Sequence, residues 1–338
     1  MKTAKISIIT ICYNIEREIE STIKSVLSQT FTDYEYIIIL ITLVVLFAFS
    51  LKKREISSPK PGLLDLFVLS KEMSIVLKGI ACIFILLGHY SRYELGGGLP
   101  KSVSYYVTAY TAPVALTIFM FCSGFGVSLK SDNQFLWNSY LRRIVSVYLP
   151  LVFVCIITAV CGFARPVGPI WHYCIGWLDE WYVWCIIYFY SVYYLSVYVA
   201  DKMHQNVTLV LTIGLLMYTF FSYFYHGYYQ AHFFRYPCAF MIGHLIARRN
   251  EISIKSLFSV LLIFIFTIAL DEFHYYKCYF IAFVLIGLVG LVEKCFIIKK
   301  GPLFFMGEIS FFFYLIDCSL SRFIPFQLYN HCWFILIL

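Results

Sequence analysis

Residues Met73–Ser91 read MSIVLKGIACIFILLGHYS, and this stretch decides the fold. A helix that crosses a bilayer needs about 20 mostly apolar residues, and this run supplies them with two interruptions, Lys78 and His89. Charged or titratable groups at membrane depth are costly and stand as functional candidates by default. Lys78 and His89 are eleven positions apart. At about 100° per residue that is three turns plus about 20°, so both point to one face. The separation along the axis is about 16 Å, half a bilayer. Alone, each has an ordinary explanation, a snorkelling lysine or a histidine at a helix end. Together on one face they point to chemistry.

The rest of the chain is built from similar material. Hydrophobic residues make up 61% of the 338 and charged ones 13%, against about 25% charged in globular domains. A soluble protein so apolar would expose more greasy surface than it could cover. Spans are expected at about 36–51, 73–91, 103–129, 144–163, 181–200, 207–225, 234–248, 256–271, 278–298 and 303–325. The fold class is therefore an all-α polytopic integral membrane protein with about nine or ten transmembrane helices.

Loop charges order these spans. Lys52, Lys53, Arg54, Lys60 and Lys71 follow the first span. Alternate loops then carry Lys130, Arg142 and Arg143, then Lys202, then Arg248, Arg249 and Lys255, then Lys294, Lys299 and Lys300. The intervening loops hold Glu94, then Asp179 and Glu180, then Asp271 and Glu272. Basic loops face the cytoplasm, so the helix of Lys78 and His89 runs from inside to outside. The net charge of +7 reads as this topology signal, and no nucleic-acid partner is expected. The 12 cysteines are scattered, mostly within spans and without a CxxC pair. They read as small packing residues. No metal-ligand spacing such as HExxH occurs, and no metal is expected.

Residues 1–40 differ in kind. Lys5–Tyr13, KISIITICY, reads as a buried strand. Glu16–Gln29 has Ile19, Ile23, Val26 and Leu27 at helical spacing, and Tyr36–Leu40 suits a second strand. Cys12-Tyr13-Asn14 and Ser25-Val26-Leu27 with Gln29-Thr30 resemble the opening of family 2 glycosyltransferases. That family would continue with an Asp-Gly-Ser loop and a metal-binding Asp-x-Asp, and this chain continues into a span. Forty residues bury no independent core. The segment is expected to be a non-functional fragment left by fusion, frameshift or a misplaced start. Glycosyl transfer is set aside. Residues 41–72 are read as an extra span and a basic cytoplasmic loop.

From residue 73 onward the chain resembles the membrane acyltransferase 3 family. The markers are Lys78-Gly79-Ile80-Ala81 through Gly88-His89, then Phe119–Phe125 (FMFCSGF), then Tyr140–Pro150 (YLRRIVSVYLP). Trp181-Tyr182, Tyr236-Pro237 to Gly243, and Gly307, Ile309, Ser310 with Tyr314–Ile316 follow in order. The family has Arg where this chain has Lys78 and a late His where it has Asp317. Lys offers no bidentate fork, and Asp reverses the charge preference. The domain, residues 73–338, is expected to be short at its C-terminus, where Trp333–Leu338 reads as the start of a further span.

The resemblance implies transfer of an acyl group, usually acetyl from acetyl-CoA, to a hydroxyl of a cell-surface or lipid-linked glycan. His89 would act as general base or hold the acyl group transiently. Lys78 would meet the phosphate or pantetheine end, or orient His89. Arg142 and Arg143 suit the phosphates of CoA and equally suit positive-inside anchoring. Ser123 and Gly124 would let backbone approach the site. Trp181, Tyr182, Glu308 and Asp317 are weaker substrate-site candidates, and His244 is a further intramembrane one. His172, Asp179, Glu180, His226, His232 and Arg235 read as solvated loop residues before an acceptor site. No bound cofactor is expected, with acyl-CoA as co-substrate. Membrane lipids and a glycan acceptor are the partners, and the place is a bacterial-type inner membrane. A transporter or flippase is the rival, although no internal repeat supports it. An inactive fusion relic is the other.

Overall fold

The computed structural model describes residues 51–53, 66–93, 101–129, 137–160, 181–226, 235–249, 252–270, 276–298 and 300–323. The glycosyltransferase-like segment, the first expected span up to residue 50 and Trp333–Leu338 lie outside these residues, as do Glu94, His172, Asp179, Glu180, His232, Asp271 and Glu272, while Leu51, the last residue of that span, is in a strand.

Ten helices make up nearly all of what is described. In chain order they are α1 (Lys71–Tyr93), α2 (Lys101–Ser128), α3 (Trp137–Val160), α4 (Trp181–Met203) and α5 (Val207–His226). Then follow α6 (Pro237–Ala247), α7 (Ile254–Leu270), α8 (Tyr276–Cys295), α9 (Pro302–Glu308) and α10 (Ser310–Phe323). Two short strands, β1 (Leu51–Lys53) and β2 (Phe296–Ile298), pair antiparallel with Leu51 opposite Ile298. Six helices, α1 to α5 and α8, are long and apolar enough to cross a membrane, and α6 and α7 are shorter apolar helices. This is an all-α polytopic membrane protein.

Two sequence expectations are corrected. The span expected at 303–325 is two helices, because the chain breaks at Ile309 between α9 and α10. The span expected at 278–298 stops being helical at Cys295, and its last residues form β2. Hydropathy reports burial from water and is blind to a break whose backbone groups find partners inside the protein.

Lipid-facing and core-facing positions separate as a bilayer requires. On α3, Trp137, Leu141, Val145, Leu149 and Phe153 are exposed at four-residue spacing, while Val147, Leu151, Val154 and Cys155 are buried. Apolar side chains facing outward are stable in lipid, where they would not be in water.

α2 continues through Pro113. A proline removes the hydrogen bond to the carbonyl four residues back, here that of Ala109. The Cys278 thiol of α8 donates to that carbonyl at 3.8 Å, so a neighbouring helix supplies the missing donor.

The centre of the bundle is α1 packed on α2, with α2 also against α6 and α1 also against α9. Glycines set these approaches. A Cβ at Gly79 would overlap the Leu303 carbonyl of α9, and one at Gly307 would overlap the Ile75 carbonyl of α1. Gly124 of α2 meets the Phe240 carbonyl of α6, and Gly243 meets the Phe121 carbonyl in return. Small residues let helices pack backbone to backbone where the hydrophobic effect gives no drive.

Candidate functional site

α1 carries the two groups that the sequence singles out, and it is one unbroken helix from Lys71 to Tyr93. The helical spacing of Lys78 and His89 therefore holds, roughly 16 Å of rise on a common face. Both side chains are half-buried.

The N-terminal end of α1 is fixed by side chains. The Met73 N–H donates to the Ser70 hydroxyl at 3.1 Å, an N-cap bond that satisfies one of the free donors of the first turn. The Ser70 N–H donates to both carboxylate oxygens of Glu293 on α8, at 3.1 and 3.2 Å. An acidic group at a helix N-terminus also complements its dipole. Glu293 thus ties the depth of α1 to α8.

Ser74 and Lys78, one turn apart on α1, lie near the Cys122 thiol of α2. The sequence reading missed Ser74 and Cys122. The signal was present: Cys122 sits inside FMFCSGF, and Ser74 stands four residues before Lys78. Ser123 is half-buried beside them and Gly124 is buried against α6.

Tyr182 is 2% exposed. Its ring meets Phe119 of α2 at 6.0 Å and Tyr314 of α10 at 4.9 Å between centroids. Three marker segments far apart in sequence converge there. Gly79 with Gly307 and Gly124 with Gly243 are two more such meetings. The segments that the sequence reading lists in order are contact partners in space.

The Arg pair is divided. Arg142 is exposed and Arg143 half-buried. Arg143 Nη2 donates to the Gly126 carbonyl at 2.7 Å. Its guanidinium stands 5.7 Å from the Tyr190 ring centroid, and the Tyr194 hydroxyl lies beside it. Gly126 is among the last carbonyls of α2, which have no intrahelical donor. A cation there satisfies one and complements the dipole. Both Arg residues belong to α3 itself, which starts at Trp137 and runs on through Pro150. The span expected from residue 144 therefore begins earlier.

Glu308 is exposed at the end of α9. Trp181 opens α4 and Asp317 lies on α10, and their side chains lie outside the described residues. His226 ends α5 likewise, and Arg235 is half-buried just before α6.

His244 is fully buried and satisfied on both ring nitrogens. Nδ1 pairs with the Ser128 hydroxyl of α2 at 2.8 Å, and Nε2 pairs with the Thr208 hydroxyl of α5 at 3.1 Å. Tyr193 of α4 packs edge-on against the ring at 5.9 Å. This histidine joins three helices, which is a packing role.

The arrangement offers a half-buried cation near one end of a continuous helix and a half-buried imidazole near the other. Such a pair can hold an anionic group at one end and move a proton at the other. The family described as acyltransferase domain, the acyltransferase 3 domain, matches residues 74–338. No curated protein and no solved structure matches the chain. With the match covering the whole bundle from α1 onward and the marker segments meeting in space, this multi-pass membrane protein belongs to the acyltransferase 3 family.

Proposed function

We propose that the chain transfers an acyl group, acetyl foremost, from a cytoplasmic acyl-CoA to a hydroxyl of a cell-surface or lipid-linked glycan, in a bacterial-type inner membrane. The observation that carries this reading is α1, unbroken and clamped by close glycine contacts, with half-buried Lys78 and His89 separated by half a bilayer. A donor from one side and an acceptor from the other can then meet along one helix face.

In the reaction, the sugar hydroxyl oxygen attacks the thioester carbonyl while His89 takes its proton. The carbon–sulfur bond breaks, the ester forms, and the CoA thiolate recovers the proton. Lys78 supports the donor as a point charge on phosphate or pantetheine. Cys122 and Ser74 line the same interface, and the Tyr182–Tyr314 pair walls it. Arg143 already spends a donor on Gly126, which favours an anchoring role, while exposed Arg142 is the freer of the two for CoA phosphates.

The test is the O-acetyl ester content of the surface polysaccharide, in cells expressing the wild type or His89→Ala. Loss of a general base costs about 10²–10⁴ in rate, so the variant is expected to fall to background. Equal, nonzero acetylation in both removes His89 from the mechanism. No acetylation by the folded wild type favours the transporter or the inactive relic.

A further inference from the structure

We propose that a cleft at the cytoplasmic ends of α4, α5 and α6 binds the headgroup of an aminophospholipid from the inner leaflet. The cleft measures about 250 Å³ and is lined by Asp201, His204, Gln205, Asn206 and Arg248, together with Ala200 and Val207. It lies apart from Lys78 and His89, and its assignment does not depend on acyl transfer.

The walls are built locally. α4 closes with two bonds of a Schellman motif, Gln205 N–H to the Ala200 carbonyl at 2.9 Å and His204 N–H to the Asp201 carbonyl at 3.4 Å. His204 is left-handed at φ 51°, where a glycine is usual. Asn206 then caps α5, its side-chain oxygen accepting the Thr208 N–H at 2.7 Å. Arg248 ends α6, its N–H bonded to the His244 and Leu245 carbonyls. Thr208 pairs with His244, which ties α5 to α6 one turn before Arg248.

Charge and size select the ligand. The cleft carries both signs, Arg248 from the end of α6 and Asp201 from the end of α4. A plain anion would meet the carboxylate unfavourably, whereas a zwitterion places phosphate at Arg248 and ammonium at Asp201. The volume of about 250 Å³ leaves room for a phosphate with a short amino alcohol. Depth agrees, because Lys202, Arg248, Arg249 and Lys255 mark this end as cytoplasmic. The acyl chains would run out along the exposed apolar residues Leu209 and Ile213 of α5.

The experiment is native mass spectrometry of the full chain in detergent, titrated with phosphatidylethanolamine or phosphatidylglycerol of matched acyl chains. The wild type is expected to retain phosphatidylethanolamine at least about tenfold better. Asp201→Asn should bring the two lipids to parity, and Arg248→Gln should lower retention of both. A single symmetric peak in size-exclusion chromatography confirms that each variant is folded. Equal retention of the two lipids by the wild type overturns the proposal. So does unchanged selectivity in Asp201→Asn, or displacement of the bound lipid by free CoA.

Discussion

Gly124 and Gly243 lock α2 to α6 by mutual contact: each lies where a Cβ would overlap a backbone carbonyl of the other helix, Phe240 for the first and Phe121 for the second. Overpacking a tight contact costs about 1–3 kcal/mol. Here the obstacle is backbone, which cannot swing aside. Gly124→Leu and Gly243→Leu are therefore expected to lower the melting temperature of the detergent-purified protein and its yield from membranes. Gly126, whose Cβ direction is open, is the internal control, and Gly126→Ala should melt like the wild type.

Lys78 stands where the resemblance to the family leads one to expect Arg. Lys78→Arg keeps the charge and adds a fork, so acetyl transfer should be kept or raised. Lys78→Met keeps the apolar stem and loses the cation. A hydrogen bond to a charged group is worth about 1.5–3 kcal/mol, so transfer should fall about 10- to 100-fold. Full activity in Lys78→Met would return Lys78 to the role of a snorkelling side chain.

His244 is expected to matter for stability and not for turnover. His244→Ala leaves the buried Ser128 and Thr208 hydroxyls without their imidazole partner. An unsatisfied buried group costs about 1–3 kcal/mol, read as a lower melting temperature. Acyl transfer per folded molecule should stay within about twofold of wild type. A selective loss of turnover without loss of stability would contradict this assignment.

Glu293 holds the start of α1 through the Ser70 N–H. Glu293→Gln keeps an acceptor, whereas Glu293→Ala removes it. The alanine variant is expected to lose about 0.5–1.5 kcal/mol of stability, the worth of an ordinary hydrogen bond, because the group is half-buried. Transfer should also fall in Glu293→Ala, by slipping Lys78 along the membrane normal, and should be rescued in Glu293→Gln.

His204 is the single non-glycine residue with positive φ among the described residues. His204→Gly relieves that conformation. It is expected to be neutral or stabilising by up to about 1 kcal/mol, measured by thermal melting. A large destabilisation would mean that the imidazole itself carries a packing or binding contact in the cleft.

The sequence reading found the helices because a bilayer enforces them. Every span-length apolar run must satisfy its own backbone, and a helix does so locally. The reading of Lys78 and His89 as one face held for the same reason, since helical periodicity alone sets it. It failed at Ile309, where α9 turns into α10, and at Cys295, where α8 gives way to β2. Those breaks depend on partners supplied from elsewhere, as β2 depends on β1.

The Arg pair shows the other limit. Sequence marks Arg142 and Arg143 as equals, and adjacent helical positions point about 100° apart. Which of them turns inward depends on where α2 ends and where Tyr190 stands. Likewise His244 reads as a titratable group in an apolar helix until Ser128 and Thr208 are seen on either side of it.

By itself, then, the chain's composition and periodicity determined a many-span helical protein with a cation and an imidazole on one helix face. These are local properties, set by residue spacing and by the cost of bare backbone in lipid. Only the tertiary structure decided which glycines face which carbonyls, that Ser74, Lys78 and Cys122 share an interface, and that Tyr182 meets Tyr314. Those pairings join residues far apart in sequence, and their energies come from contact geometry, which no single segment contains.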